Sequence, residues 1–166
     1  MPENKQVNIL PTETYFAIVK QMLEETGQAS VRVTGVSMQP ALRHLKDSVI
    51  ISPPDRLRVG DIVLYDRRNG RYALHRIVCK RKNVFSMAGD NQWHIENNLS
   101  YDQVTGVVTQ ILRDGKCISC SKKTYRLYAR FVSAWSVCRI SARSAVRMLG
   151  TQVRRMGRSF QKGKGI

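Results

Sequence analysis

The sequence predicts a mostly β fold: a small coiled antiparallel β-barrel with an N-terminal helix and a long basic amphipathic helix at its C-terminal end. Three observations predict it. Six short β-rich runs of period two succeed one another in the middle of the chain, divided by turn signals. A segment of helical period precedes them. A second and far longer helical segment follows, with arginines opposite its apolar stripe. At 166 residues the chain is long enough for one domain with a substantial core.

The first helix is predicted over 12–26, TETYFAIVKQMLEET, with Thr12 or Thr14 as its cap. Phe16, Val19, Met22 and Leu23 fall at helical spacing, and Gly27 ends the segment. Then the period changes to two. SVRVTG, SVIIS, DIVLYD, YALHRIVCK, NVFSMAG and VTGVVTQIL read as strands, with PPD, RNG and GDNQ as turns between them. From about Lys122 to Phe160 the helical period returns. Leu127, Phe131, Trp135, Cys138, Ala142, Val146, Leu149, Val153, Met156 and Phe160 project onto one stripe, and Gly150 and Gly157 are expected to divide or soften the helix. The organisation is therefore an N-terminal helical segment 1–27, a β-rich domain 28–120 and a basic helical tail 121–166.

Charge follows the same division. The formal net charge is +16, yet from Gly115 onward there are thirteen Lys/Arg and no Asp or Glu, whereas residues 1–114 hold fifteen Lys/Arg against all twelve acids. A nearly balanced body with a basic appendage implies an anionic partner, a membrane surface or nucleic acid. The four cysteines form no disulfide framework. Cys117 and Cys120 are a lone C-x-x-C without a second pair at zinc spacing, read as a strand or turn. No metal site and no cofactor are expected. The N-terminus MPENKQVNIL lacks the apolar core of a secretory signal, and no run approaches the roughly 18 apolar residues of a spanning helix. The expected location is cytoplasmic, peripheral at the inner face of the membrane.

One stretch carries chemistry. In VTGVSMQPAL, Ser37 sits in a Gly- and Pro-flanked turn, where a serine is either a turn residue or a nucleophile. A serine hydroxyl needs a base to take its proton. The chain offers His44, seven residues on, His75 in the alternating run YALHRIV, and His94 in the loop GDNQWHIENN. From residue types alone, any of the three could serve.

The order VTGVSMQPAL, LRVGDIVLYD, ALHRIV, SMAGDNQWHIENN and VTGVV resembles the signal peptidase I superfamily, which also contains the self-cleaving phage and SOS repressors. The resemblance covers about residues 30–110 and implies the coiled barrel of that superfamily. It also implies a serine peptidase with Ser37 as nucleophile. His75, followed by Arg76 and Ile77, stands where the bacterial enzymes have a lysine base and matches the Ser-His branch. Asp90 of the Gly-Asp-Asn box is the implied third member, orienting His75 or holding its strand, with Asp102 as the fallback. A neutral imidazole, of ordinary pKa near 6.5, can take the serine proton at neutral pH without the large shift a lysine requires. Lys80 and Lys82, farther along, read as solvated.

The oxyanion site is expected from the main-chain N–H of Ser37 and its neighbours Gly35 and Val36, with Met38 and Pro40 shaping the substrate channel by resemblance and Leu42 read as core. Two departures from the peptidase pattern stand out: Gly35 replaces a hydroxyl residue two before the nucleophile, and Lys46-Asp47 replaces a Gly-Asp. In the tail, Phe131, Trp135, Arg139, Arg143 and Arg147 are the expected membrane contacts on an anionic leaflet. Packing of the stripe on the barrel, or phosphate contact with nucleic acid, are the competing readings. The implied function is cleavage of a leader or signal-like peptide. The alternatives are a repressor-like self-cleaving regulator, or a non-catalytic membrane- or nucleic-acid-binding module on the same fold.

Overall fold

A computed structural model describes residues 11–68 and 70–162, with side chains to residue 148. Helix α1 (Thr12–Thr26) is followed by β1 (Ala29–Arg32), β2 (Ser48–Ser52), β3 (Ile62–Asp66), β4 (Tyr72–Arg81), β5 (Val84–Ala88), β6 (Glu96–Ser100), β7 (Val104–Arg113) and β8 (Lys116–Ser119). Helix α2 (Lys123–Lys162) completes the order. All strand pairs are antiparallel, in the order β1-β2-β7-β3-β4-β5-β6, with β8 on β7. The sheet curls around its apolar interior, so the expected small antiparallel barrel flanked by two helices is the observed fold.

Helix α1 has the expected span, but Pro11 rather than a threonine stands at its N-cap. Gly27 adopts φ 71° and returns its N–H to the Leu23 carbonyl, the left-handed stop that glycine makes without a steric penalty. Val19 and Leu23 are buried against β1 and β2, so α1 belongs to the same core as the strands. Strand β3 separates two cores by its alternation: Ile62 and Leu64 join the core under α1, and Val63 and Tyr65 join a second one with Ile77, Phe85 and Met87.

Two strands go beyond the six expected. β8 is turned back on β7 by Asp114 and Gly115, both at positive φ, a tight Asp-Gly hairpin. β6, ENNLS, pairs with β5 despite its polar composition. Cys117 lies on β8 and Cys120 just beyond it; all four cysteines are free thiols.

Helix α2 runs uninterrupted to Lys162, without the break expected at Gly150 or Gly157. Ala129, Ser133, Ser136 and Ile140, at spacings of four, three and four, are buried among the described residues of the helix, and Ile140 meets Val78 and Ala88 of the barrel. Leu127, Phe131, Trp135 and Val146 are exposed, so the expected apolar stripe faces away from the barrel. Leu149, Val153, Met156 and Phe160 lie outside the residues whose side chains are described. Among the described residues, no helix is long and apolar enough to cross a membrane.

Candidate active site

The Ser37 loop is closed at its base, where β1 runs out. The Val33 N–H donates to the Asp47 carbonyl at 3.0 Å and the Leu45 N–H to the Val33 carbonyl at 2.8 Å. Within the loop the chain turns tightly: the Gln39 N–H donates to the Val36 carbonyl and the Leu42 N–H to the Met38 carbonyl. Met38 and Leu42 are thereby sunk into the core, and Ser37 is left half-buried between them and solvent. Asp47 is fully buried. It accepts from the Arg43 main chain and side chain and from the Arg113 guanidinium, tying the far end of the loop to β7. Despite burial, which pushes the other way, Arg113 and Arg43 hold its carboxyl down at about 2.

The Gly-Asp-Asn box clamps this loop from the other side. The Asn91 N–H donates to the Ser37 carbonyl at 2.8 Å, and Asn91 Nδ2 to the Val36 carbonyl at 3.3 Å. Gly89 is required by close approach: a Cβ there would lie 2.7 Å from the Ser37 carbonyl oxygen. Arg139 of α2 holds the box in turn, donating to the Asp90 carbonyl at 3.0 Å and the Gln92 carbonyl at 2.7 Å, and it lies over the Trp93 ring with Arg143.

His75 reaches the site from β4. Its cross-strand partner is Val63, which puts Tyr65 diagonally across on the same face. His75 Nδ1 and the Tyr65 hydroxyl are 2.9 Å apart, and the Glu96 carboxylate stands 3.3 Å from the same nitrogen. Arg67 forks onto Glu96, with Nε at 2.9 Å and a second, closer contact from its terminal nitrogen. Burial would raise the Glu96 carboxyl, but hydrogen bonds from Arg67 and Tyr65 hold it below its ordinary value. Burial and the facing Glu96 raise the Tyr65 phenol. An ionised carboxylate only accepts, so the Tyr65 O–H donates to Glu96 and the Tyr65 oxygen accepts from His75 Nδ1–H. The tautomer is thereby set, with the lone pair on Nε2. Burial is the main cause that lowers His75 to about 4, with Glu96 opposing and Arg67 and His94 adding to the drop. The imidazole is neutral at pH 7.

Ser37 and His75 line one cleft of about 450 Å³. Its apolar wall is built by Tyr15 and Phe16 of α1 with Val31, Met38, Leu64 and Tyr72, and the Phe16 and Tyr72 rings stack with centroids 3.8 Å apart. Arg67 and Gln92 add polar groups, and Gln92 Oε1 is buried without a partner among the described residues. No hydrogen bond joins Ser37 and His75 among the described residues. Ser37 and His75 share the cleft without a hydrogen bond between them, a looseness common in sites before substrate is bound.

Several expectations are corrected by this geometry. Asp90 does not serve His75: both its oxygens are taken by Arg76, at 2.8 and 2.7 Å, in a pair where Arg76 is fully buried. Its partner is therefore Arg76 of β4. Asp102 is exposed and pairs with Arg68 at 3.0 Å. The acid beside His75 is Glu96. Gly35, at φ 85°, spends its N–H on His44 Nδ1 at 2.8 Å, so that group is not free for an oxyanion. Val36 and Pro40 are exposed and do not line the cleft; Pro40 follows a cis peptide bond. Lys80 is not merely solvated but donates to the Leu57 carbonyl at 3.0 Å. Arg139 and Arg143 stack on Trp93 instead of flanking the stripe freely, whereas Phe131 and Trp135 are exposed, as is the Arg147 position.

Glu96 and Tyr65 had signals of their own. Glu96 is the single acid between Asp90 and Asp102, and Tyr65 keeps step with Val63 along DIVLYD. No metal-binding group of His, Cys, Asp and Glu occurs among the described residues. The family model described as Peptidase S24-like matches residues 2–109, which takes in α1, β1 to β6 and part of β7. No curated protein matches the chain.

Proposed function

We propose that this chain, which belongs to the Peptidase S24-like family, is a serine endopeptidase cutting a leader or signal-like peptide held in the Ser37 cleft. What supports the reading above all is a buried, neutral His75 in the tautomer of a base, lining the same cleft as Ser37. On substrate binding, His75 Nε2 takes the Ser37 Oγ proton as the oxygen attacks the scissile carbonyl. The tetrahedral oxyanion accepts from the Ser37 main-chain N–H. Collapse expels the amine, which takes the proton back from His75, and water then hydrolyses the acyl-enzyme by the same route in reverse.

Glu96 matters in the transition state. The imidazolium formed there is 3.3 Å from a carboxylate and bonded through Tyr65 to the same group, which offsets the burial that disfavours its charge. The cleft's apolar wall suits an extended peptide with an apolar side chain near the cut. The unpartnered Gln92 carboxamide oxygen is available to a peptide N–H after a small rotation.

The test is covalent labelling of the full chain with a fluorophosphonate, read by intact mass. The wild type is expected to gain one adduct, localised to Ser37, and both Ser37→Ala and His75→Ala are expected to lose it. A wild-type chain that stays unlabelled between pH 6 and 9, with and without vesicles, overturns the enzyme reading. A repressor-like self-cleaving activity would appear in the same samples as truncation whose rate does not depend on protein concentration.

A further inference from the structure

Helix α2 has two apolar faces, and only one is used. Ala129, Ser133, Ser136 and Ile140 face the barrel and are buried. About half a turn away, at roughly 100° per residue, Leu127, Phe131, Trp135, Cys138, Ala142 and Val146 fall within an arc of about 100°. Leu127, Phe131, Trp135 and Val146 on that arc are 73, 68, 59 and 68 % exposed. Scattered exposed apolar residues are ordinary, but a row of them along about five turns marks a contact surface. Both helix and row lie beyond residue 109, outside the segment the peptidase family model matches.

Charge identifies the occupant. No acid occurs from Gly115 onward. Lys123 and Arg130 are exposed on one flank of the row, and Arg143 with the half-exposed Trp93 lies on the other. A second copy of the helix would bring cation against cation. Of the acids of the body, Asp47, Asp61, Asp90, Glu96, Asp102 and Asp114 are already paired with arginines, and the exposed Glu13, Glu24, Glu25 and Asp55 could answer the cations of a second copy but not its apolar row. Nucleic acid would answer the cations but leave the apolar row without a partner. A bilayer interface with anionic headgroups answers both: the row enters the acyl boundary while cations on either side meet phosphates.

We propose that the outward face of α2 is a docking surface for an anionic lipid bilayer, seating Leu127, Phe131, Trp135 and Val146 in the interface. This inference is independent of the peptidase reading, since docking requires neither Ser37 nor His75. The experiment is flotation of the full chain with vesicles of phosphatidylcholine alone or with roughly 30 % phosphatidylglycerol. Binding to the anionic vesicles at ~0.1 M salt, at least about tenfold above neutral ones and weakened at ~0.5 M, is expected. The double variant Phe131→Glu/Trp135→Glu should lower that binding by roughly tenfold or more. Both side chains point outward, so its unfolding midpoint should match the wild type. Ser37→Ala should float like the wild type. Equal flotation on both vesicle types, flotation unaffected by the double variant, or absence of flotation overturns the proposal. So does tight binding to a mixed-sequence duplex or to single-stranded RNA that survives the double variant while vesicles are ignored.

Discussion

Substituting Gly89→Ala tests how the Ser37 loop is held. The added Cβ would sit 2.7 Å from the Ser37 carbonyl oxygen and 3.0 Å from side-chain carbons of Gln92. The first contact is about 0.7 Å short of ordinary packing, and its partner is backbone, which cannot rotate away. The Ser37 loop must retreat, stretching the 2.8 Å bond from the Asn91 N–H to that carbonyl. Overpacking of this kind costs about 1–3 kcal/mol, and a strained hydrogen bond adds up to about 1 kcal/mol. A loss near 2 kcal/mol lowers the melting temperature by roughly 4–8 °C in a chain of this size. The kinetic effect should be larger in proportion, since a displacement approaching 1 Å of a reacting group can cost about a hundredfold. The assay pairs thermal unfolding with the rate of fluorophosphonate labelling at Ser37. Gly115→Ala is the control: it introduces backbone strain at φ 72°, which Gly89 does not have, but it has open space around it and lies at the tip of the β7–β8 hairpin. It should cost about 1 kcal/mol and leave labelling unchanged. Wild-type labelling in Gly89→Ala, or an equal drop in both variants, would refute the clamp.

Glu96→Gln and Tyr65→Phe should each slow labelling by roughly 10–100-fold while Asp102→Asn leaves it unchanged, which separates the acid beside the base from the exposed one. The acid limb of the labelling rate should lie near pH 4, because burial lowers His75 to about that value, and Glu96→Gln should move it lower still by removing a charge that favours the imidazolium. The same shift appears in stability. The contribution of neutral His75 is complete above pH 6.5, where the unfolded chain is also neutral, and falls by up to roughly 3 kcal/mol as pH drops through about 4, measurable by urea unfolding across that window. Arg76→Met should destabilise by about 3–5 kcal/mol by stranding the Asp90 carboxylate, and Arg76→Met/Asp90→Leu should recover most of the loss. Arg139→Ala removes two hydrogen bonds to the box and one cation over Trp93, and it should slow labelling with a stability loss of only about 1 kcal/mol.

The fold was legible where one physical signal dominated. The stop at Gly27 needs only a residue that tolerates positive φ, the alternation of SVIIS needs only a sheet with one buried face, and the continuous apolar run of DIVLYD fits a strand buried on both faces. β6 escaped because ENNLS has almost no strand propensity of its own; its pairing with β5, with Leu99 buried opposite Phe85, decides its conformation. β8 is short and was read together with its cysteines, although Asp114-Gly115 announced the hairpin. The apolar row of α2 was legible as a row. Its direction was not, because the face that packs on the barrel is mostly alanine and serine, with Ile140 as its one large buried apolar residue among the described side chains, and a hydrophobicity pattern passes over such a face.

The site was half legible for a reason that lies in one strand. Ser37 and His75 could be found from linear motifs, but their partners follow from the parity of β4. His75 and Arg76 are adjacent, so they point to opposite faces of the sheet. On one face, the buried Arg76 takes both oxygens of Asp90, and the Gly-Asp-Asn box is thereby free to present its main chain to the Ser37 loop. On the other face His75 meets whatever β3 and the β6 edge supply, and these are Tyr65 and Glu96. Asp90, bound by Arg76 through both oxygens, lies with Arg76 and not with His75. The acid that faces His75 is Glu96, and the Arg67 fork onto it keeps that carboxyl ionised beside an imidazole whose charge burial disfavours.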